Sequence, residues 1–113
     1  MVVRLNLEEN KSNILLREEN DEGIISYYGG LYSINGISLV ILKSLSNGLS
    51  LKEIVKELLE SYEIDKPQLI QDIESFFKQL FAIGIISKNL LEKYKEDLYE
   101  VSESQKERFY RGK

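Results

Sequence analysis

The chain has 113 residues, 42% of them hydrophobic and 30% charged, which suits one domain of ordinary size with a modest core and excludes a disordered coil. It has no Cys and no His. That rules out disulfides, thiolate or imidazole metal sites, and every Ser-His or Cys-His nucleophile. Fifteen basic side chains against nineteen acidic ones leave a net charge of -4, the reverse of the balance that grips nucleic-acid phosphates.

No targeting or spanning segment stands out. Residues 1–10 carry Glu8 and Glu9 and lack an apolar signal core. The longest apolar run, Ile37 to Leu42, is interrupted by Ser38 and is far too short to cross a bilayer. A cytoplasmic binding domain, with no membrane partner, is the default before any motif is considered.

Residues 1–34 read as strands. Arg4 to Leu7 is a candidate short strand, and Asn13 to Glu18 a clearer one. The acidic stretch Glu18 to Glu22 reads as the turn that follows. The runs Gly23 to Tyr28 and Leu31 to Ile34 flank Gly29-Gly30. A Gly-Gly pair accepts the positive φ that a tight hairpin turn demands. This predicts pairing of Tyr28 with Leu31, Tyr27 with Tyr32 and Ile25 with Ile34. The face carrying Ile25, Tyr27, Tyr32 and Ile34 is the more apolar and should meet the core.

Residues 35–86 read as three helices. Asn35 caps the first, about Gly36 to Leu45, which is apolar nearly all round and ends at Asn47-Gly48. Ser50 with Glu53 forms a capping box for the second, whose apolar side is Leu51, Ile54, Val55, Leu58, Leu59 and Tyr62. Asp65 or Lys66 caps the third, with Pro67 in its first turn and Gly84 at its left-handed end. The third helix shows two apolar stripes, one through Leu69, Ile73, Phe76 and Leu80, the other through Ile70, Ile73, Phe77 and Phe81. Two stripes need two packing partners.

Residues 88–113 form a charged tail with seven basic and six acidic side chains, against eight and thirteen in residues 1–87. Ser87 can cap a helix to about Val101, with Leu90, Leu91, Tyr94, Leu98 and Val101 on one side. After Ser102 the chain is polar and expected to fray, although Phe109 and Tyr110 lie near the end. Three roles are open for this tail: covering its own domain, docking a partner enzyme, or self-association as a homodimer. The chain thus divides into a domain over 1–87 and a helical tail over 88–113.

The order of these elements resembles the PqqD-like family, the peptide-chaperone domains also called RiPP recognition elements. Leu31-Tyr32-Ser33-Ile34-Asn35 resembles the family's strand-to-helix junction. Ile37 to Leu45 resembles its first apolar helix. Asn47-Gly48-Leu49-Ser50-Leu51-Lys52-Glu53-Ile54 is similar to its Gly-containing turn and helix start. Gln71 to Leu80, followed by Gly84-Ile85-Ile86, is similar to its Asp-Val, Phe-Leu, Leu and Gly-Leu-Ile pattern. The likeness spans about residues 12–87, and the tail has no counterpart in a minimal member.

The resemblance implies a winged-helix-like α+β fold, with an N-terminal three-stranded antiparallel sheet, three helices and the C-terminal helical tail. It implies a non-catalytic domain, without cofactor or metal, that binds the leader segment of a ribosomally made precursor peptide. The leader is then presented to a separate maturation enzyme: a radical SAM protein, a cyclodehydratase or a lasso-type protease. The leader would add a strand beside Leu31, Tyr32, Ser33 and Ile34. Phe76, Leu80 and Ile83 of the third helix would wall a groove there, with Asp72 and Gln79 at its polar rim.

Other functions fit the residues less well. A DNA-reading helix should be basic, but Lys66 and Lys78 are matched by Asp72 and Glu74, and the second helix has two Lys against three Glu. An enzyme would need a carboxylate pair, a Lys or a Tyr, and there is no Gly-rich phosphate loop. Glu18, Glu19, Asp21 and Glu22 lack calcium-loop spacing and read as a solvated turn. The runner-up is a protein–protein adaptor that docks a folded partner through the tail.

Overall fold

The computed structural model describes residues 2–5, 7 and 14–111, the last eight of them by backbone only. Four strands, β1 (Val2–Arg4), β2 (Ile14–Glu19), β3 (Glu22–Tyr27) and β4 (Gly30–Ile34), precede four helices, α1 (Gly36–Ser46), α2 (Leu51–Ser61), α3 (Lys66–Ile83) and α4 (Lys88–Arg111). The architecture is α+β. The sheet has four antiparallel strands in the order β1-β2-β3-β4, one more than the three expected, and the fourth helix, α4, is the expected helical tail. The extra strand is β1. It lies at Val2–Arg4 rather than over Arg4 to Leu7, and Leu5 continues the pairing by donating its amide to the Ile14 carbonyl at 2.9 Å. Asn13, the expected start of the second strand, falls outside the described residues.

The β2–β3 and β3–β4 hairpins close through two-residue turns with positive φ at each central position, Asn20-Asp21 (53° and 65°) and Tyr28-Gly29 (46° and 81°). That geometry matches the right-handed twist of the flanking strands. The predicted Gly29-Gly30 turn is therefore corrected by one position. Tyr27 pairs with Gly30, Ile25 with Tyr32 and Gly23 with Ile34. The pairing is offset by two residues from the expected one, and an offset of two keeps every side chain on its face. Two close approaches explain the choice. The Tyr32 ring lies over Gly30, where an added Cβ would sit 2.6 Å from its hydroxyl, and Gly23 leaves room for Ile34 and Leu39 against the sheet. The acidic segment is mostly strand: Glu18, Glu19 and Glu22 pair in the ladder, and only Asn20 and Asp21 turn.

The helix signals act where the sequence puts them. The Asn35 side chain accepts from the Ser38 amide, Ser50 and Glu53 cap each other, and Asp65 accepts from Gln68. Gly84, at φ 99°, ends α3. There its amide donates to the Phe81 carbonyl and the Ile85 amide to that of Leu80, the pairing that satisfies carbonyls left open at a helix end.

The helices cover one face of the sheet. Leu5, just after β1, and Ile14, Leu16 and Ile25 from the strands join Leu39, Leu42, Val55, Leu58, Ile73 and Phe77 in a continuous core. Each such side chain contributes about 2 kcal/mol on burial. The helix beginning at Lys88 belongs to the same core. Its Leu91, Tyr94 and Leu98 are buried, and the Tyr94 ring stacks on Phe77 at 4.5 Å. It continues past Val101 to Arg111. Of the residues after Ser102 where fraying is expected, Glu103 is helical and exposed, and the side chains of 104–113 are outside those described.

Candidate functional site

The last strand of the sheet, β4, has one partner, β3, and its other edge is not paired with any described residue. The register decides which groups that edge offers. In a hairpin closed by a two-residue turn, the pair beside the turn exchanges both main-chain hydrogen bonds, and then every second pair does. Gly30, Tyr32 and Ile34 therefore bond inward to Tyr27, Ile25 and Gly23. The same alternation on the other side gives Glu22, Ile24 and Ser26 to β2, so the two ladders agree. Leu31 and Ser33 point their N–H and C=O groups outward, about 7 Å apart along the strand.

Beside the end of this edge lies a cleft of about 530 Å³ between the start of α1 and the middle of α3. Ile37, Ile41, Leu69, Ile73 and Phe76 give it apolar walls, while Asn35, Ser38, Asp72, Ser75 and Gln79 supply its polar groups. Asp72 is exposed and accepts a hydrogen bond from the Gln68 side-chain amide at 2.8 Å. The opposite end is fixed. Tyr27, paired with the first residue of β4, donates its hydroxyl to the Gly84 carbonyl at 3.0 Å. Since Gly84 caps α3, the helix passes from the cleft beside Asn35 to the Tyr27 end of the hairpin.

The nine residues singled out from sequence separate into three groups here. Leu31 and Ser33 are exposed and sit on the outer face, while Tyr32 and Ile34 are half-buried on the core face. Asp72, Phe76 and Gln79 line the cleft together. Leu80, 2% exposed, belongs to the core, and Ile83 is half-buried at the Gly84 end; neither borders the cleft. Ile37, Ser38 and Ser75 line it without having been singled out. Ser75 had a readable signal, since Asp72, Ser75, Phe76 and Gln79 fall at i, i+3, i+4 and i+7 on one helix face. Ile37 and Ser38 look in sequence like any first turn of a buried helix.

Among the described residues, no group of three or more His, Cys, Asp or Glu could hold a metal ion, and no helix is long and apolar enough to cross a membrane. An open strand edge beside an apolar cleft is an arrangement to which an extended polypeptide can add as a further strand. The model of the family described as Coenzyme PQQ synthesis protein D (PqqD) matches residues 2–86. The chain belongs to that family, which is one of peptide-binding, chaperone-like accessory domains rather than catalysts, and which suggests a role in handling precursor peptides with a maturation enzyme. No curated protein and no solved structure matches the chain.

Proposed function

We propose that this domain captures the leader segment of a ribosomally made precursor peptide by strand addition to β4, and presents it to a separate modifying enzyme. That enzyme would be a radical SAM protein, a cyclodehydratase or a lasso-type protease, acting in the cytoplasm where the precursor is made. The observation that carries the reading is the outward pair of backbone groups at Leu31 and Ser33 next to the cleft holding Phe76, Asp72 and Gln79. Main-chain bonds to the edge supply affinity at little sequence cost, and the cleft supplies selection by taking an apolar side chain of the guest strand. Tyr32 and Ile34 continue the core-side surface on which alternate guest side chains would lie.

The adaptor reading has less to draw on. The apolar stripe of α4 that could have met a partner is spent on its own core through Leu91, Tyr94 and Leu98.

Calorimetry of the full chain with the leader of a precursor encoded beside its gene tests the proposal. The leader should bind in the micromolar range, and a scrambled peptide of the same composition should give no saturable heat. Equal heats from the two peptides would overturn it.

A further inference from the structure

Among the described residues, the charges lining the clefts beside β4 are one-sided. A second cleft, of about 740 Å³, lies on the other side of Asn35 and Ile37, which line both. Edge strand β4 carries no charged residue. Among the described residues, the charged side chains lining the two clefts are Asp72 in the first and Glu18, Asp21 and Lys43 in the second. Lys43, the one cation among them, is already held by Glu18 at 2.8 Å. Asp72 is met by the neutral Gln68 amide, which orients the carboxylate without cancelling its charge. The first turn of α1 opposes this with about half a positive charge, but one of its amides, that of Ser38, is taken by Asn35 at 2.8 Å. The remaining partial charge is smaller than the two carboxylates of Asp72 and Asp21.

We propose that the peptide selected here is cationic: an extended segment whose apolar side chain enters the α1–α3 cleft and whose neighbouring Lys or Arg meets Asp72. The inference rests on the strand-addition reading and adds the chemical class of the guest. Asp72 and Phe76 are one helical turn apart on the same wall. Side chains on one face of a guest strand repeat every second residue, about 7 Å, so one segment can reach both. Because Asp72 is exposed, the pair acts as a salt-sensitive filter on charge rather than as the main source of affinity.

The test is selection of random-sequence peptides on the full chain, run in parallel on Asp72→Lys, Asp72→Asn and Glu57→Lys. Glu57 is an exposed residue of α2 that lines neither cleft, so its substitution makes the same net-charge change as Asp72→Lys away from the site. Peptides with Lys or Arg near an aliphatic or aromatic anchor should be enriched on the native chain and on Glu57→Lys. The enrichment should fall on Asp72→Asn and vanish on Asp72→Lys. Changing that Lys or Arg to Glu in a selected peptide should weaken binding about fivefold in a fluorescence-anisotropy titration. Binders with no charge bias, binders rich in acidic residues, or a bias lost equally on Glu57→Lys would overturn the cationic class and leave strand addition standing. Failure to select any peptide, or selected peptides that bind Ser33→Pro as well as the native chain, would remove strand addition itself.

Discussion

The Tyr27 hydroxyl donates to the Gly84 carbonyl at 3.0 Å across 57 positions of sequence, tying the sheet to the C-terminal end of α3. The same tyrosine pairs through its backbone with Gly30, the first residue of the edge strand. One residue thus sets the spacing between strand and helix at the hairpin end, while the Asn35 end stays open. Replacing it with Phe keeps the ring and removes the bond. Tyr27→Phe should cost about 1 kcal/mol, seen in urea unfolding as a lower midpoint with an unchanged slope.

Ser33→Pro and Tyr32→Pro separate the free edge from the paired one. The Ser33 amide points outward and is not part of the β3–β4 ladder, whereas the Tyr32 amide bonds to Ile25. Proline is tolerated on an edge strand only where its missing N–H would face outward. Ser33→Pro should keep the native circular dichroism and lose about tenfold in leader affinity, the worth of one main-chain bond. Tyr32→Pro should lower the unfolding midpoint whether or not peptide is present. A folded Ser33→Pro chain with undiminished affinity would move the binding site away from β4.

Phe76 and Gln79 divide stability from recognition within the cleft. Phe76 is 8% exposed with its ring 5.9 Å from that of Phe77, so truncation hollows the core as well as the cleft. Phe76→Ala should cost about 3 kcal/mol, and its peptide titration must be made under conditions where the variant is still folded. Gln79 is exposed on the same wall. Gln79→Ala should leave stability within about 0.5 kcal/mol, so any change it makes in leader affinity reports on the rim alone.

Local signals were legible because they need only a few neighbouring residues. Asn35, Ser50, Asp65 and Gly84 start and stop helices at the positions their chemistry indicates. The alternation of Ile25, Tyr27, Tyr32 and Ile34 gave the core face even though the register was off, because a shift of two residues preserves the pleat. The register itself turned on contacts distant in sequence, such as Gly23 against Ile34 and Leu39. Strand β1 was hard to place because its three residues are all exposed and show no burial pattern. Within the site, Phe76 and Leu80 look alike in sequence. Only tertiary packing puts Phe76 on the cleft wall as well as in the core, and Leu80 in the core alone.

Tyr94 tests how far the helix from Lys88 belongs to the folding unit. Its ring stacks on Phe77 at 4.5 Å with 23° between the planes, and it is 7% exposed. Tyr94→Ala should destabilise the chain by about 3 kcal/mol. Thermal unfolding followed at helix and aromatic wavelengths should shift together. A loss below about 0.5 kcal/mol would mean that α4 packs without holding the core.

The capping box at the start of α2 predicts an acid limb in the stability profile. Ser50 donates its backbone N–H to the Glu53 carboxylate at 3.0 Å and accepts the Glu53 amide at 3.2 Å. The bond from the Ser50 amide favours the ionised form and holds the Glu53 carboxyl below the usual carboxylate range. A group whose folded pKa is depressed adds stability above its unfolded pKa and loses it as the pH falls through the folded value. The Glu53 contribution should therefore be complete at neutral pH and fade below the ordinary glutamate range. Glu53→Gln should flatten this part of the acid limb while changing neutral-pH stability only modestly, since a neutral amide can still accept the Ser50 bond. Ser50→Ala removes the other half of the box and should cost about 1 kcal/mol at neutral pH. Urea midpoints measured from neutral to acid pH check both; an acid limb identical in the native chain and Glu53→Gln would show that the carboxylate adds nothing to the cap.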